Sequence, residues 1–233
     1  EKTKELTKLI DAQKTFIKNS VHEINTPLSI IQTNIDLLKM KIPNNKYITN
    51  IESGSKIIQY IHDDLSYLVK KDRVTYKKEY LDFSKILKER LEFFDEIAIS
   101  NTLNFIQDIE DDIYIKFNIT ELQRVIDNNL SNAIKYSFAK SSIFIKLAYI
   151  NDDEIEFTTT THSKKIENVK KIFDDFYREN IARGGFGLGL KIVKDICDKN
   201  LVIINLDSNE KNTKFAYRFK INEDTITWRW INA

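Results

Sequence analysis

The run His22-Glu23-Ile24-Asn25-Thr26-Pro27-Leu28 places an imidazole, a carboxylate, an amide and a small hydroxyl together inside a helical pattern. An imidazole nitrogen that is largely unprotonated near neutral pH is a competent nucleophile. Glu23, beside it, can orient the ring or take its proton. Thr26 lies one turn on from His22 and can hold a water near the same nitrogen. Pro27 removes a backbone donor and frees the carbonyl of Glu23, so a bend is expected there. His22 falls between the stripe positions Ser20 and Ile24, which points it outward. Far downstream, Asn128 and Asn132 stand one turn apart, with Lys135 three residues further. Amide oxygens complete a Mg²⁺ shell made otherwise of phosphate and water, and a lysine meets phosphate charge. The run Gly184-Gly185-Phe186-Gly187-Leu188-Gly189-Leu190 then leads into helical sequence. Glycines at a helix start let the backbone close on an anion, and the free N–H groups there attract phosphate. The three sets together suggest movement of a phosphoryl group from a nucleotide to a histidine.

Each set has a plainer reading taken alone. The asparagines also fit a solvated helix face, and the glycines a hinge or a C-cap followed by a new helix. A lone histidine is most simply a surface side chain, and His62 and His162 are read that way. His62 stands beside Asp63 and Asp64, but no spacing supports a metal site there. The glycine run is not the dinucleotide fingerprint, which needs a preceding strand in a βαβ unit.

The elements that must position these groups follow two grammars. Leu6, Ile10, Gln13, Ile17, Ser20, Ile24, Leu28, Ile31, Ile35 and Leu38 recur at spacings of three and four, which is the bundle period. Pro43-Asn44-Asn45 reads as a turn. Tyr47, Ile51, Gly54, Ile58, Ile61, Leu65 and Leu68 form a second stripe. A two-helix hairpin covers only part of both stripes, so a homodimer giving four helices is the simplest closure. A monomeric hairpin packed on its own C-terminal domain is the rival. After a charged junction, Tyr80 to Phe83 reads as a short strand, and Ser84 as the cap of a helix to about residue 98. Strands are expected at 102–108, 113–117, around 143–147 and 155–157, 201–206 and 214–221. Helices are expected over 120–136 and from about Gly187 to Lys199. Helices against one mixed or antiparallel sheet give a two-layer α+β sandwich. The boundaries read as 1–72 for the hairpin, 73–79 for a linker, 80–221 for the second domain and 222–233 for a tail containing Trp228-Arg229-Trp230.

Bulk composition narrows the classes. Lys plus Arg is 36 and Asp plus Glu is 35, a balance that argues against a dedicated nucleic-acid binder. The single cysteine, Cys197, excludes an internal disulfide and reads as a buried, inert thiol. No run is long and apolar enough to span a bilayer, and no signal peptide is visible. The chain starts at Glu1 within helical sequence, which suggests a fragment with a region upstream.

With these residues in view, the chain resembles the catalytic core of a bacterial two-component sensor histidine kinase over about residues 5 to 221. Phe16 to Leu28 resembles the family's phosphoacceptor box. That resemblance makes His22 the phosphorylated residue, Glu23 its acid/base partner, and Thr26, or Asn25 with it, the residue that positions water for dephosphorylation. Asn128 to Ser137 resembles the asparagine box. It implies Mg²⁺ at Asn132, a polar or catalytic role for Asn128, phosphate contact from Lys135 and an adenine neighbour in Tyr136. Ile172 to Arg178 resembles the phenylalanine box, which counts Phe173, Phe176 and Arg178 with the nucleotide site. Gly185, Gly187 and Gly189, with Leu188 between them, resemble the second glycine box. One box departs: Thr161 stands where the family has an Asp that accepts from the adenine amino group, and Ser163 and Lys165 stand where it has glycines. A neutral hydroxyl bonds about half as strongly as a charged partner.

The fold so implied is an all-α hairpin forming a dimeric four-helix bundle, followed by an α+β sandwich of the Bergerat ATPase/kinase class. The implied activity is ATP- and Mg²⁺-dependent autophosphorylation of the histidine. The phosphoryl group would then pass to an aspartate in a response regulator receiver domain, with possible phosphatase activity. The implied location is the cytoplasmic portion of an inner-membrane sensor, with no nucleic acid and no membrane contact from this fragment. The second reading, favoured by Thr161, is a dimeric signalling scaffold with a weak or degenerate nucleotide site.

Overall fold

The computed structural model describes residues 23–43, 45–70, 77–174, 177, 179 and 187–221. The chain divides into two compact units, Glu1–Thr75 and Tyr76–Ala233.

The first unit is a helical hairpin. Helix α1 occupies residues 23–41 and α2 runs Lys46–Lys70. Asn45 starts α2 by accepting from the backbone N–H of Tyr47 at 2.9 Å and of Ile48 at 3.3 Å, which satisfies donors the helix itself leaves free. Leu28 and Ile35, seven residues apart on α1, are buried, as is Ile48 on α2. Ser55 and His62 continue that seven-residue series on α2 and are buried with it. The surface reading of His62 is therefore corrected. Its imidazole lies within the hairpin, with Nδ1 3.2 Å from Asp63 Oδ1. A polar chain crosses the helix pair: Gln32 Nε2 donates to Gln59 Oε1 at 3.2 Å, and Gln59 Nε2 donates to Asp63 Oδ1 at 3.2 Å. Ile24, Ile31 and Leu38 on α1, and Tyr47, Ile51 and Ile58 on α2, are exposed. The apolar stripe is thus split into a buried seam and an open one.

The second unit opens with β1 (Glu79–Asp82), which pairs antiparallel with β3 (Tyr114–Phe117). Helix α3 (Phe83–Ser100) follows directly. Its cap is Asp82, whose carboxylate accepts from Lys85 N at 2.8 Å, rather than Ser84. Ser84 is buried, donates to Glu110 O at 2.6 Å and accepts from Ile113 N at 3.1 Å, so it ties the helix start to the turn that precedes β3. The main sheet has the order β2-β4-β5-β7-β6. Its strands are β2 (Asn104–Ile109), β4 (Ser142–Asn151), β5 (Glu154–His162), β6 (Ile203–Ser208) and β7 (Asn212–Lys220). β2 and β4 are parallel, with α4 (Ile119–Tyr136) in the crossover; the other neighbours are antiparallel.

Alternation decides which face of this sheet is covered. Ile143, Ile145, Leu147, Ile155, Phe157, Tyr217 and Phe219 are buried, whereas Ile106, Phe144, Lys146 and Lys214 on the opposite face are exposed. Phe83 packs edge-on against Phe219 with centroids 5.3 Å apart, and Phe157 stacks on Tyr217 at 5.9 Å. Fully burying each such side chain contributes about 1.5–3 kcal/mol. The helices are tied to one another by charge. Arg90 on α3 donates twice to Asp127 on α4, at 2.7 and 3.0 Å. Glu121, buried in the first turn of α4, accepts from Lys199 at 2.7 Å and Asn200 at 3.1 Å at the end of α5 (Gly189–Asn200). Leu201 closes α5 in the left-handed region at φ 58, so β6 starts at Ile203 and not at residue 201. The tail beyond residue 221 lies outside the described residues.

Candidate functional site

The chemistry-bearing face of the second unit begins on α4. Asn118 caps this helix, its side chain accepting from Glu121 N at 3.1 Å. Leu122, Val125, Ile126 and Leu130 are fully buried on the sheet side. Asn132, Lys135 and Tyr136, in the C-terminal half, stay half-exposed. Asn128 does not share that exposure. It is 1% exposed, and its Nδ2 donates to Arg124 O at 3.0 Å. The expectation of two asparagines on one open face is corrected accordingly: the side chains one turn apart sit at different depths, because α4 is buried more deeply at its middle than at its end. Lys135 Nζ lies 5.0 Å from the Tyr136 ring centroid, a cation–π contact that keeps the ammonium at the helix end.

The end of α4 docks on the end of β5. Ser137 bridges to Ser163, and Phe138 N donates to His162 O at 2.8 Å. Thr161 and Ser163, both buried, therefore adjoin the last turn of α4. They belong to a hydroxyl cluster assembled by strand register, since Thr161 faces Thr213 across β5–β7 and Ser208 faces Thr213 across β6–β7. Ser163 Oγ donates to Thr213 Oγ1 at 2.9 Å, Ser208 Oγ and Thr213 Oγ1 are 2.8 Å apart, and Ile166 N donates to Ser208 Oγ at 2.9 Å. Thr161 Oγ1 has longer contacts, 3.3 Å to Ser163 Oγ and 3.4 Å to Thr213 O. Ser208 and Thr213 were not singled out in the sequence. The same-face alternation of Thr159 and Thr161 is the only local trace of the cluster.

The third part is the start of α5. Gly187 has φ 71, a left-handed conformation suited to glycine. Leu188 is the N-cap and makes no side-chain cap bond, so it leaves the first N–H groups of α5 uncapped by its side chain. α4 and α5 pack against each other, and the Glu121–Lys199 pair holds the end of α5 at the start of α4. Phe173 lies in a 3₁₀ turn, Lys171–Phe173, and with Lys170, Asp174, Lys191 and Lys194 it lines a cavity of about 490 Å³ beside α5. Among the described residues, no cluster of three or more His, Cys, Asp or Glu could cage a metal. Cys197 is buried and its thiol is pushed up to about 12, first by burial and then by the charge of Asp198.

In the hairpin unit, Glu23, Asn25 and Thr26 are exposed on α1, where Ser29 Oγ donates to Asn25 O at 2.9 Å. His22, Phe176, Arg178 and Gly185 lie outside the described residues.

A sheet covered on one face by α3, α4 and α5 is a two-layer α+β sandwich, with an amide, a lysine and a tyrosine toward the end of α4 and a glycine-led start to α5. Residues 117–223 match the family described as "Histidine kinase-, DNA gyrase B-, and HSP90-like ATPase", and residues 12–73 match "His Kinase A (phospho-acceptor) domain". The chain belongs to the bacterial two-component sensor histidine kinases, as a phosphoacceptor hairpin followed by a Bergerat-fold ATPase domain. It is 28% identical over 198 residues to the Sensor protein DltS of Streptococcus agalactiae, covering 81% of this chain and 49% of that protein. It is 30% identical over 235 residues to the Heme sensor protein HssS of Staphylococcus saprophyticus, covering 95% and 50%. The Sensor histidine kinase WalK of Bacillus subtilis is 26% identical over 238 residues, covering 94% and 38%. The chain thus spans half or less of the length of these relatives. In fold it is similar to the Acinetobacter baumannii histidine kinase AdeS, with TM-score 0.60, 17% identity and coverage of 87% of this chain and 98% of that one. It is also similar to full-length ShkA in complex with AMPPNP, with TM-score 0.62, 16% identity and coverage of 88% and 45%. No described helix is long and apolar enough to cross a membrane.

Proposed function

We propose that this chain binds ATP in its second unit, autophosphorylates His22, and passes the phosphoryl group to an aspartate of a response regulator receiver domain. The reading rests on Asn132, Lys135 and Tyr136, half-exposed at the end of α4, and on the glycine-led start of α5, whose N-cap residue makes no side-chain cap bond, in a chain that also holds the His22-Glu23 pair. The boundaries follow: 1–72 for dimerisation and phosphoacceptance, 73–79 for a linker, 80–221 for nucleotide binding and 222–233 for a tail.

In the reaction, an imidazole nitrogen of His22 attacks the γ-phosphorus in line. An N–P bond forms, the bond to the β,γ-bridging oxygen breaks, ADP leaves, and Glu23 takes the imidazole proton. Lys135 and the N–H groups at Gly187 to Gly189 offset the charge of the phosphates. The half-exposed Asn132 amide suits a hard cation held mostly by phosphate and water. Mg²⁺, when bound there, neutralises part of the triphosphate charge. Tyr136 and Thr161 border the base. Phe173, Phe176 and Arg178 count with the nucleotide site by the family resemblance, and Asn128, buried one turn before Asn132, orients the helix face. In the next step the N–P bond breaks as an aspartate oxygen of the receiver domain takes the phosphoryl group. Thr26, with Asn25, orients water for the reverse, hydrolytic activity. The open seam of Ile24, Ile31, Leu38, Ile51 and Ile58 supports a homodimer that closes four helices. Membership of the sensor-kinase family supports a place as the cytoplasmic portion of a membrane sensor.

Calorimetric titration of the full chain with MgATP tests the nucleotide half. Binding in the micromolar to millimolar range is expected, and Asn132→Ala should weaken it at least about tenfold without lowering the melting temperature. A dimeric chain that binds no nucleotide at millimolar concentration would instead support the signalling scaffold, which the neutral Thr161 position favours.

A further inference from the structure

We propose that the base site of this domain is indifferent to the group on carbon 6 of the purine, so that GTP binds beside ATP. This deepens, and rests on, the reading that Thr161 borders the base. The cluster behind Thr161 contains only neutral groups: the hydroxyls of Thr161, Ser163, Ser208 and Thr213, the carbonyl of Thr213 and the N–H of Ile166. Thr161, Ser163 and Thr213 are each 5% exposed or less, so water competes little with their choice of partner. Ile166 N–H, Ser208, Thr213 and Ser163 satisfy one another at 2.8 to 2.9 Å. Thr161 does not share in this saturation. Both of its contacts, at 3.3 and 3.4 Å, sit near the limit of a hydrogen bond, and it has two alternative acceptors for its single proton.

A hydroxyl carries one donor and two acceptor lone pairs, whereas an ionised carboxylate only accepts. Facing a 6-amino group, Thr161 keeps its proton on Ser163 or on the Thr213 carbonyl and accepts from the base. Facing a 6-oxo group, it turns that proton outward and donates. The rotation exchanges one long contact for another and leaves no buried polar group unpaired. A carboxylate here would meet a 6-oxo group with acceptor against acceptor, the arrangement from which strong discrimination arises.

The test is calorimetric titration of the full chain with MgATP and, separately, MgGTP, for the wild type, Thr161→Asp and Thr161→Val. The wild-type dissociation constants are expected to agree within about tenfold, and Thr161→Asp to widen the ratio beyond about 100-fold in favour of ATP. Thr161→Val, nearly the same shape without the hydroxyl, is expected to weaken both nucleotides by a similar factor. A wild-type preference for ATP above about 100-fold overturns the inference and leaves the ATP site standing. Failure of the wild type to bind either nucleotide overturns the ATP reading itself. If the buried Asp unfolds the domain, the wild-type ratio still decides.

Discussion

Cys197 and Tyr217 show what burial does to single groups at the centre of the second unit. The Cys197 thiol rises from 9.0 to about 12 and the Tyr217 phenol is likewise pushed upward, both chiefly by loss of water. For an acid whose neutral form is the one buried, the sign is definite. The unfolded chain releases the thiol proton from about pH 9 upward while the folded chain holds it. Stability is therefore unaffected below pH 9 and falls between there and about 12. The expected slope from this thiol is about 1.4 kcal/mol per pH unit at full effect. Urea unfolding at pH 8.0 and 10.5 should show the loss, and Cys197→Ala should flatten it. An identical slope in the variant would contradict the assignment. At Asn132 the environment is the opposite: an amide left half-exposed has no packing role to lose, so its substitution should separate nucleotide affinity from stability.

Among the elements, α4 decides the site, and its orientation rests on clamps at two points. Glu121 is 1% exposed, and with Lys199 and Asn200 it holds the end of α5 against the start of α4. Lys199 is half-exposed and stays solvated without its partner, so Glu121→Ala should cost what hydrogen bonds to a charged acceptor contribute, about 1.5–3 kcal/mol. Glu121→Gln, which keeps an acceptor for Asn200, should cost less. Denaturant unfolding checks both, and equal losses would mean that the charge, absent from both variants, and not the retained acceptor, carries the contact. The elements themselves were legible wherever periodicity was strong. Ile143, Ile145 and Leu147 announce β4, and the 3–4 spacing over 120–136 announces α4. Position within the fold was less legible. Ser84 looked like a cap because it precedes an apolar run, but Asp82 reaches the free N–H groups, and Ser84 is needed at the turn that precedes β3. His62 looked like a surface residue beside two aspartates, yet it continues the seven-residue series of Ile48 and Ser55. The hydroxyl cluster was invisible locally because residues 161, 163, 208 and 213 meet only through the antiparallel registers of β5, β7 and β6.

For the whole molecule, the hairpin carries an open heptad seam. Ile24, Ile31 and Leu38 repeat every seven residues on α1, and Ile51 and Ile58 do so on α2, all of them exposed. They are 39–54% exposed, so covering what remains open contributes about 1 kcal/mol each, and a charge in the middle of the seam should separate the protomers. Ile31→Lys with Ile58→Lys is expected to shift the chain from dimer to monomer in sedimentation equilibrium while the second unit still binds nucleotide. A dimer that persists would place the interface elsewhere. Fold class and the identity of the chemical groups were readable from the chain. The division of one apolar stripe into a buried and an open half was not, because both halves obey the same period.

The chemistry stands or falls on phosphoryl transfer to one imidazole. The full chain, incubated with γ-³²P-labelled ATP and Mg²⁺, should acquire label that acid removes and alkali does not. His22→Gln should acquire none while binding MgATP as the wild type does. Label of equal amount on His22→Gln, or no label on a wild type shown to hold MgATP, would contradict the assignment of residue 22 as the phosphoacceptor.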